Sequence, residues 1–104
     1  MQYFLSYDVG TSSVKSILID MNGNVLATAI EEYPLFTPNP GWVEQEPLDY
    51  WNAICKATNK IIHSTTILKE DITGLAFSTQ AQGVIPVDKN GSVLNRNISW
   101  VDGR

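Results

Sequence analysis

Short stretches of the chain carry the period-two apolar pattern that is typical of strands. The predicted strands are Tyr3–Tyr7, Val14–Ile19, Val25–Glu31, Ile72–Ser78 and Val84–Val87. Val14–Ile19 is apolar on both of its faces apart from Lys15 and Ser16. Because a strand of this kind needs cover on both sides, the pattern predicts that it lies inside a sheet.

Two turns of the form Asp-x-Asn-Gly, each followed by x-Val-Leu, begin at Asp20 and at Asp88. Asn-Gly is a strong hairpin signal because both residues tolerate positive φ. The first turn joins two of the predicted strands, and the second follows Val84–Val87. The sequence therefore predicts two similar hairpins.

A single helix is predicted from Pro47 to about His63, after a proline-rich loop that begins at Pro34. Proline suits the first helical position, and Asp49 lies in the first turn, where the helix dipole favours an anion. The predicted apolar face consists of Trp51, Ile54, Thr58, Ile61 and Ile62, with Cys55 at its edge. We therefore expect Trp51 and Cys55 to be packing residues.

The run from Asp8 to Lys15 places unusual chemistry at the turn between the first two strands. Gly10 lets the backbone approach a ligand closely, and the hydroxyls of Thr11, Ser12 and Ser13 can donate to phosphate oxygens. Asp8 could hold Mg²⁺, directly or through water. The spacings of a P-loop and of a Rossmann fingerprint are both absent. Ordinary hairpin chemistry is the alternative interpretation of the same residues.

Composition narrows the choice of partners. The 104 residues are 43% hydrophobic and 17% charged, with a net charge of −4 and a pI near 4.7. Since there is no basic stripe, we expect neither nucleic acid nor a membrane as partner. Met1–Asp8 lacks the cationic start of a secretory signal. One cysteine, Cys55, cannot form an internal disulfide and fits a reducing compartment, so a cytoplasmic location is expected.

Four segments, in order, resemble the amino-terminal region of the FGGY carbohydrate kinases, the family of xylulokinases, gluconokinases and glycerol kinases. The segments are Asp8–Lys15, Gly41–Pro47 leading into Tyr50 and Trp51, Gly74–Gly83, and Ile98–Arg104. The resemblance implies an α/β, ribonuclease-H-like fold of the actin, hexokinase and Hsp70 superfamily. Members are several times longer than this chain, so residues 1–104 are expected to be part of the first kinase domain.

The resemblance also implies roles for individual residues. By this resemblance, the residues expected to contact the phosphates are Gly10, Thr11, Ser12, Ser13 and Lys15. Mg²⁺ is expected to bind near Asp8. Sugar contacts fall on Gln80, Ala81, Gln82, Trp100 and Asp102. Xylulokinases typically carry Met-His, and glycerol kinases Arg-Glu, where this chain has Ala81 and Gln82, so the sugar or polyol stays open. The catalytic base lies beyond Arg104 in relatives, and the chain alone is expected to be inactive.

Structural roles are the alternatives for several of these residues. Trp100 could be a core residue, and Asp102 could simply pair with Arg104. We expect Trp42 to pack, and Glu44 and Glu46 to brace the proline-rich loop.

The function expected for the parent protein is ATP-dependent phosphorylation of a sugar or polyol hydroxyl. A catalytically inactive phosphate-binding module or interaction fragment is one alternative, and an ATPase of the same superfamily that acts on proteins is another. The full-length enzyme could also form a homodimer, and the sequence leaves its oligomeric state undecided.

Overall fold

In the computed structural model, which describes residues 1–104, one helix packs on a four-stranded sheet. The sheet contains β1 (Tyr3–Val9), β2 (Ser13–Asp20), β3 (Val25–Glu32) and β5 (Ile72–Thr79). The helix α1 is Pro47–Ser64, and two short strands, β4 (Glu44–Gln45) and β6 (Asn97–Ile98), pair separately. The ends of α1 and of the four strands of the larger sheet agree with the sequence predictions to within about two residues.

The sheet is mixed, with the strand order β3-β2-β1-β5. Strands β1 and β2, and also β2 and β3, are antiparallel neighbours, whereas β1 and β5 are parallel. A parallel pair cannot be joined by a tight turn, and α1 lies in the crossover that brings the chain back to β5. The prediction that Val14–Ile19 lies inside the sheet is confirmed.

The core lies between α1 and one face of the sheet. Strand β1 contributes Leu5, Tyr7 and Val9 to it, and β2 contributes Val14 and Leu18. Alternation along β1 sends Asp8 to the opposite, open face. The same core that anchors β1 and β2 therefore fixes the two ends of the Gly10–Ser12 turn between them.

The buried face of α1 includes Ile61 of the predicted face, and Ile54 packs against the core as predicted, but the rest of the face differs. Ala53, Ala57 and Ile61, four residues apart, are the buried residues of the helix, while Trp51 is 62% exposed. Small alanines let the helix axis approach the sheet closely, so the larger Trp51 is left at the rim. The expectation that Trp51 is a packing residue is therefore wrong. No helix of the structure is long and apolar enough to cross a bilayer.

Trp51 lines an apolar groove between α1 and the outer strand β5. The groove has a volume of about 320 Å³, and half-buried Cys55 also borders it. From β5, Leu75 and Phe77 line the groove and remain 61% and 56% exposed. The edge of the sheet beyond β1 is thus apolar and uncovered.

The first predicted hairpin forms as expected, and the second is reduced. At the first, Gly23 has a φ of 82°, and Asp20 Oδ1 accepts from the backbone N–H groups of Asn22 and Asn24. The hydrogen bonds with Asn24 lower the pKa of Asp20. At the second, Asp88 makes the same kind of loop, but the flanking residues form one isolated bridge, Val87 to Val93. The predicted strand Val84–Val87 is therefore wrong; Pro86, which lacks an N–H, interrupts it.

Candidate functional site

The turn between β1 and β2 is closed by its own backbone and supported by a tyrosine from a distant loop. Gly10 N–H donates to Ser13 O at 2.9 Å. The Tyr33 hydroxyl donates to the Gly10 carbonyl and lies 3.1 Å from Ser13 O, while Tyr33 N–H donates to Ser12 O at 3.2 Å. Burial raises the pKa of Tyr33 to about 12, so this donor keeps its proton at neutral pH. The carbonyls of Gly10, Ser12 and Ser13 are therefore all hydrogen-bonded within the domain.

A second support comes from Gln45, which is 1% exposed. Its Nε2 donates to Thr11 O at 2.6 Å, and its Oε1 accepts from the Tyr50 hydroxyl at 2.6 Å and from Gln80 Nε2 at 3.0 Å. Asn97 Nδ2 donates to the Tyr50 oxygen at 2.8 Å. We call Gln45, Tyr50, Gln80 and Asn97 the polar cluster. Burial raises the pKa of Tyr50, which therefore also acts as a neutral donor.

The polar cluster borders a cavity of about 250 Å³ beneath the segment that follows β5. Gln82, with a φ of 65°, lines this cavity, whereas Ala81 is exposed and does not line it. The Oε1 of Gln80 and the Oδ1 of Asn97 are buried and have no hydrogen-bond partner. Because the amide N–H groups of both residues point toward Tyr50, the atoms left over are acceptors.

Trp100 lies beside the turn and is not a core residue. Its side chain is 52% exposed, and its indole N–H donates to Thr11 Oγ1 at 2.9 Å. The structure thus brings together one residue of the predicted phosphate turn and one of the predicted sugar pocket. The alternative that Trp100 fills a core is wrong.

Asp102 and Arg104 form an anchor for the loop that contains Trp42. Arg104 Nε donates to both oxygens of Asp102, and Arg104 Nη2 lies 2.8 Å from Glu44 Oε2. Asp102 Oδ2 also accepts from Val43 N–H at 2.6 Å. Arg104 lowers the pKa of Asp102, and the guanidinium stacks 3.9 Å above the half-buried Trp42 ring. Every oxygen of Asp102 is thus already engaged within the chain.

Asp8 and Lys15 occupy the open face of the sheet at the start of the turn. They are register partners on β1 and β2, and Ser78 of β5 is the register partner of Asp8 on the other side. All three residues are exposed, and neither Asp8 nor Lys15 takes part in an ion pair. No group of three or more histidine, cysteine or acidic side chains that could hold a metal ion is present.

Sequence reasoning missed the roles of Tyr33, Gln45 and Asn97. Gln45 lies in the segment Gly41–Pro47, yet nothing local to it indicates a contact with a backbone atom 34 residues away. The pairing of β4 with β6 creates these contacts, because Gln45 lies opposite Asn97 in the register. Strands of two residues have no period that a sequence could reveal.

Glu44 and Glu46, near the end of the proline-rich loop, each form an ion pair with an arginine. Glu44 is 7% exposed and pairs with Arg104, while Glu46 is the partner of Arg96 at 3.8 Å. The guanidinium of Arg96 also lies 4.0 Å above the ring of Phe36. The expectation that both glutamates brace the proline-rich loop is confirmed.

Comparison with known proteins identifies the family of the chain. The model of the FGGY family of carbohydrate kinases, amino-terminal domain, matches residues 3–104. A xylulose kinase from Staphylococcus epidermidis is 38% identical over 100 residues, which are 96% of this chain and 20% of the relative. The crystal structure of a xyloylose kinase from Brucella ovis matches with a TM-score of 0.95 and 34% identity, covering 99% of this chain and 22% of that one.

Plasmodium falciparum glycerol kinase with ADP matches with a TM-score of 0.83 and 26% identity, covering 100% of this chain and 21% of that one. The chain thus spans about a fifth of the length of these relatives. The expected fold, part of an actin- and hexokinase-like domain with a mixed sheet, is confirmed by these matches. The chain belongs to the FGGY family of carbohydrate kinases.

Proposed function

We propose that the whole protein containing this domain transfers the γ-phosphoryl group of ATP to a hydroxyl of a sugar or polyol. The observation that carries the proposal is the Gly10–Ser13 turn, whose carbonyls are hydrogen-bonded by Tyr33 and Gln45 while the Ser12 side chain is exposed. A support of this kind leaves exposed hydroxyls free to donate to phosphate oxygens. The bound ADP of the Plasmodium glycerol kinase supports ATP as the donor.

In this proposal Gly10, Thr11, Ser12 and Ser13 bind the phosphates, and Lys15 adds a positive charge beside them. Positioning and charge stabilisation supply most of the catalysis of phosphoryl transfer. Lys15 is exposed on the open face and takes part in no ion pair, so its charge is available to a ligand.

Asp8 fits the metal expected in such a site. Mg²⁺ usually keeps several waters and binds through one or two carboxylates plus phosphate oxygens, so a lone exposed carboxylate beside the turn is sufficient. Asp8 is exposed and takes part in no ion pair. When bound, the ion would neutralise charge that develops on the transferring group.

We propose that the acceptor is a neutral sugar or polyol, with a ketopentose ahead of the others. Gln82, which lines the cavity, offers both a donor and an acceptor, which suits the hydroxyl groups of a neutral polyol. Ala81 stands where relatives carry Met or Arg but lies outside the cavity, so Gln82 is the residue of this pair that we propose contacts the acceptor. Trp100 presents an exposed ring beside the turn, where we propose that it contacts the acceptor. Asp102 orders the segment that carries Trp100 rather than contacting the sugar directly.

Removal of two turn hydroxyls tests the phosphate role. In the whole protein, Thr11→Val combined with Ser12→Ala should lower kcat by ~10²–10³-fold, because donors aimed at transition-state charge are lost. Sugar affinity should stay nearly unchanged. The matched control is Thr66→Val combined with Ser92→Ala, which removes exposed hydroxyls outside the turn. An unchanged kcat in the turn variant would remove Thr11 and Ser12 from the site.

Replacement of Gln82 tests the sugar role. Gln82→Ala removes one neutral hydrogen bond of about 0.5–1.5 kcal/mol, so the KM for the sugar should rise several-fold while the KM for ATP stays constant. Gln2→Ala, at an exposed glutamine near the chain start, is the control. A rise in the KM for ATP alone would show that Gln82 does not face the sugar.

A further inference from the structure

The hydrogen bond between Trp100 and Thr11 joins side chains that are 89 residues apart. Trp100 reaches the turn because its segment is fixed on both sides. Ser99, the preceding residue, is 3% exposed, its N–H donates to Val43 O at 3.0 Å, and its carbonyl accepts from Asp102 N–H at 3.0 Å. The indole N–H is thus presented by a backbone that has little freedom to move.

The chemistry of the two groups determines the direction of the bond. An indole N–H is a donor only, whereas a threonine hydroxyl can donate one hydrogen and accept others. Thr11 Oγ1 therefore accepts from Trp100, and its own hydrogen must point elsewhere. Meanwhile the Thr11 carbonyl is held by Gln45 Nε2 at 2.6 Å, so the residue is fixed at both its backbone and its side chain.

We propose that Trp100 is a positioning residue for the phosphate turn. By donating to Thr11 Oγ1 it presets the Thr11 hydroxyl as a donor toward a phosphate oxygen, and it couples the segment of the sugar pocket to the turn. This inference rests on the proposed function of the turn. It gives the indole N–H a role that is separate from any contact between the indole ring and a sugar.

Trp100→Phe separates the two roles, because phenylalanine keeps an aromatic ring and loses the N–H. In the whole protein, kcat/KM for ATP should fall by about 2- to 12-fold, the value of one neutral hydrogen bond, while the KM for the sugar stays constant. Trp51→Phe is the matched control, since Trp51 is also largely exposed, at 62% against 52% for Trp100, and lies on α1. That control should leave both constants unchanged.

A double-variant cycle tests the coupling itself. In the Thr11→Val background no acceptor remains for the indole, so adding Trp100→Phe should cause no further loss. In the Thr11→Ser background the hydroxyl remains, and Trp100→Phe should again cost 2- to 12-fold. A variant that acted only by loosening the fold would lower activity equally in all three backgrounds, and that result would overturn the inference.

The remaining outcomes distinguish this inference from the proposed function. If Thr11→Val leaves kcat/KM for ATP unchanged, the Thr11 hydroxyl does not act on phosphate and the inference is refuted, whereas the proposed function falls only if the variant that lacks the Thr11 and Ser12 hydroxyls is also unaffected. If Thr11→Val lowers it while Trp100→Phe behaves as the wild type, the turn binds phosphate and only the positioning role of Trp100 is wrong. A rise in the KM for the sugar alone in Trp100→Phe would also refute the positioning role.

Discussion

Substitution of Gln45 by methionine is the sharpest test of how the turn is held. Methionine has nearly the same length and volume as glutamine, so the change removes hydrogen bonds without opening a large cavity. Gln45 loses its bond to Thr11 O at 2.6 Å and those from Tyr50 and Gln80 at 2.6 Å and 3.0 Å. The Tyr50 hydroxyl and the Thr11 carbonyl are then left without these partners.

The expected loss of stability follows from the three hydrogen bonds that Gln45 makes. Three hydrogen bonds at about 0.5–1.5 kcal/mol each amount to about 1.5–4.5 kcal/mol, and buried groups left unpaired move the value toward the upper half. We therefore expect Gln45→Met to lower the free energy of unfolding of this domain by about 3–4.5 kcal/mol. Since Gln45 also fixes the Thr11 carbonyl, the affinity of the whole protein for ATP should fall as well.

Urea titration followed by tryptophan fluorescence measures the stability change, and calorimetric titration with ATP measures the affinity. Gln2→Met makes the same chemical change at an exposed position and should alter stability by less than about 0.5 kcal/mol. A loss below about 1 kcal/mol for Gln45→Met, or a loss equal to that of the control, would refute the reasoning that the buried amide supports the turn.

Two further predictions concern pH and association. The pKa of Tyr33 is raised to about 12 from an ordinary value near 10, so between these values the unfolded chain releases a proton that the folded chain keeps. The contribution of Tyr33 to the free energy of unfolding should therefore be constant below pH 10 and fall as pH rises from 10 to 12; pH-dependent urea titration should show a shallower fall in Tyr33→Phe over that range, and equal slopes would contradict it. The exposed edge strand with Leu75 and Phe77 should make the 104-residue polypeptide, taken alone, self-associate. Analytical ultracentrifugation checks this, and a single monomeric species at high concentration would disprove it.

The parts of the fold that sequence predicted are those with local causes. The period-two patterns of β1, β2, β3 and β5 and the Asn-Gly turn at Gly23 act within a few residues of one another. The helix was also predictable in position, because its start is marked by Pro47. Its buried face was not, since large apolar residues such as Trp51 resemble core residues more strongly than Ala57 does. Only the close approach of the sheet makes alanine the better residue there.

The support of the turn could not be predicted, because each contact depends on tertiary pairing. Tyr33 reaches the turn by the return of β3, and Gln45 and Asn97 meet by the pairing of β4 with β6. Neither short strand has a pattern, and a buried glutamine resembles an exposed one in a single sequence. Resemblance to the family indicated which segments matter, and physical contacts then showed which atoms of them hold the turn.

The contrast between the two turns of the sheet bears on the alternative that Gly10–Ser13 is only a hairpin. The hydrogen bonds that shape the turn at Asp20 are local, since the Asp20 carboxylate accepts from the N–H groups of Asn22 and Asn24 in its own loop. The Gly10–Ser13 turn instead depends on Tyr33, Gln45 and Trp100, which contact it across 20 to 89 residues. A connection that merely reverses the chain needs no such support. Buried polar groups are costly unless paired, so their concentration under one turn favours a turn whose shape must be held for a ligand.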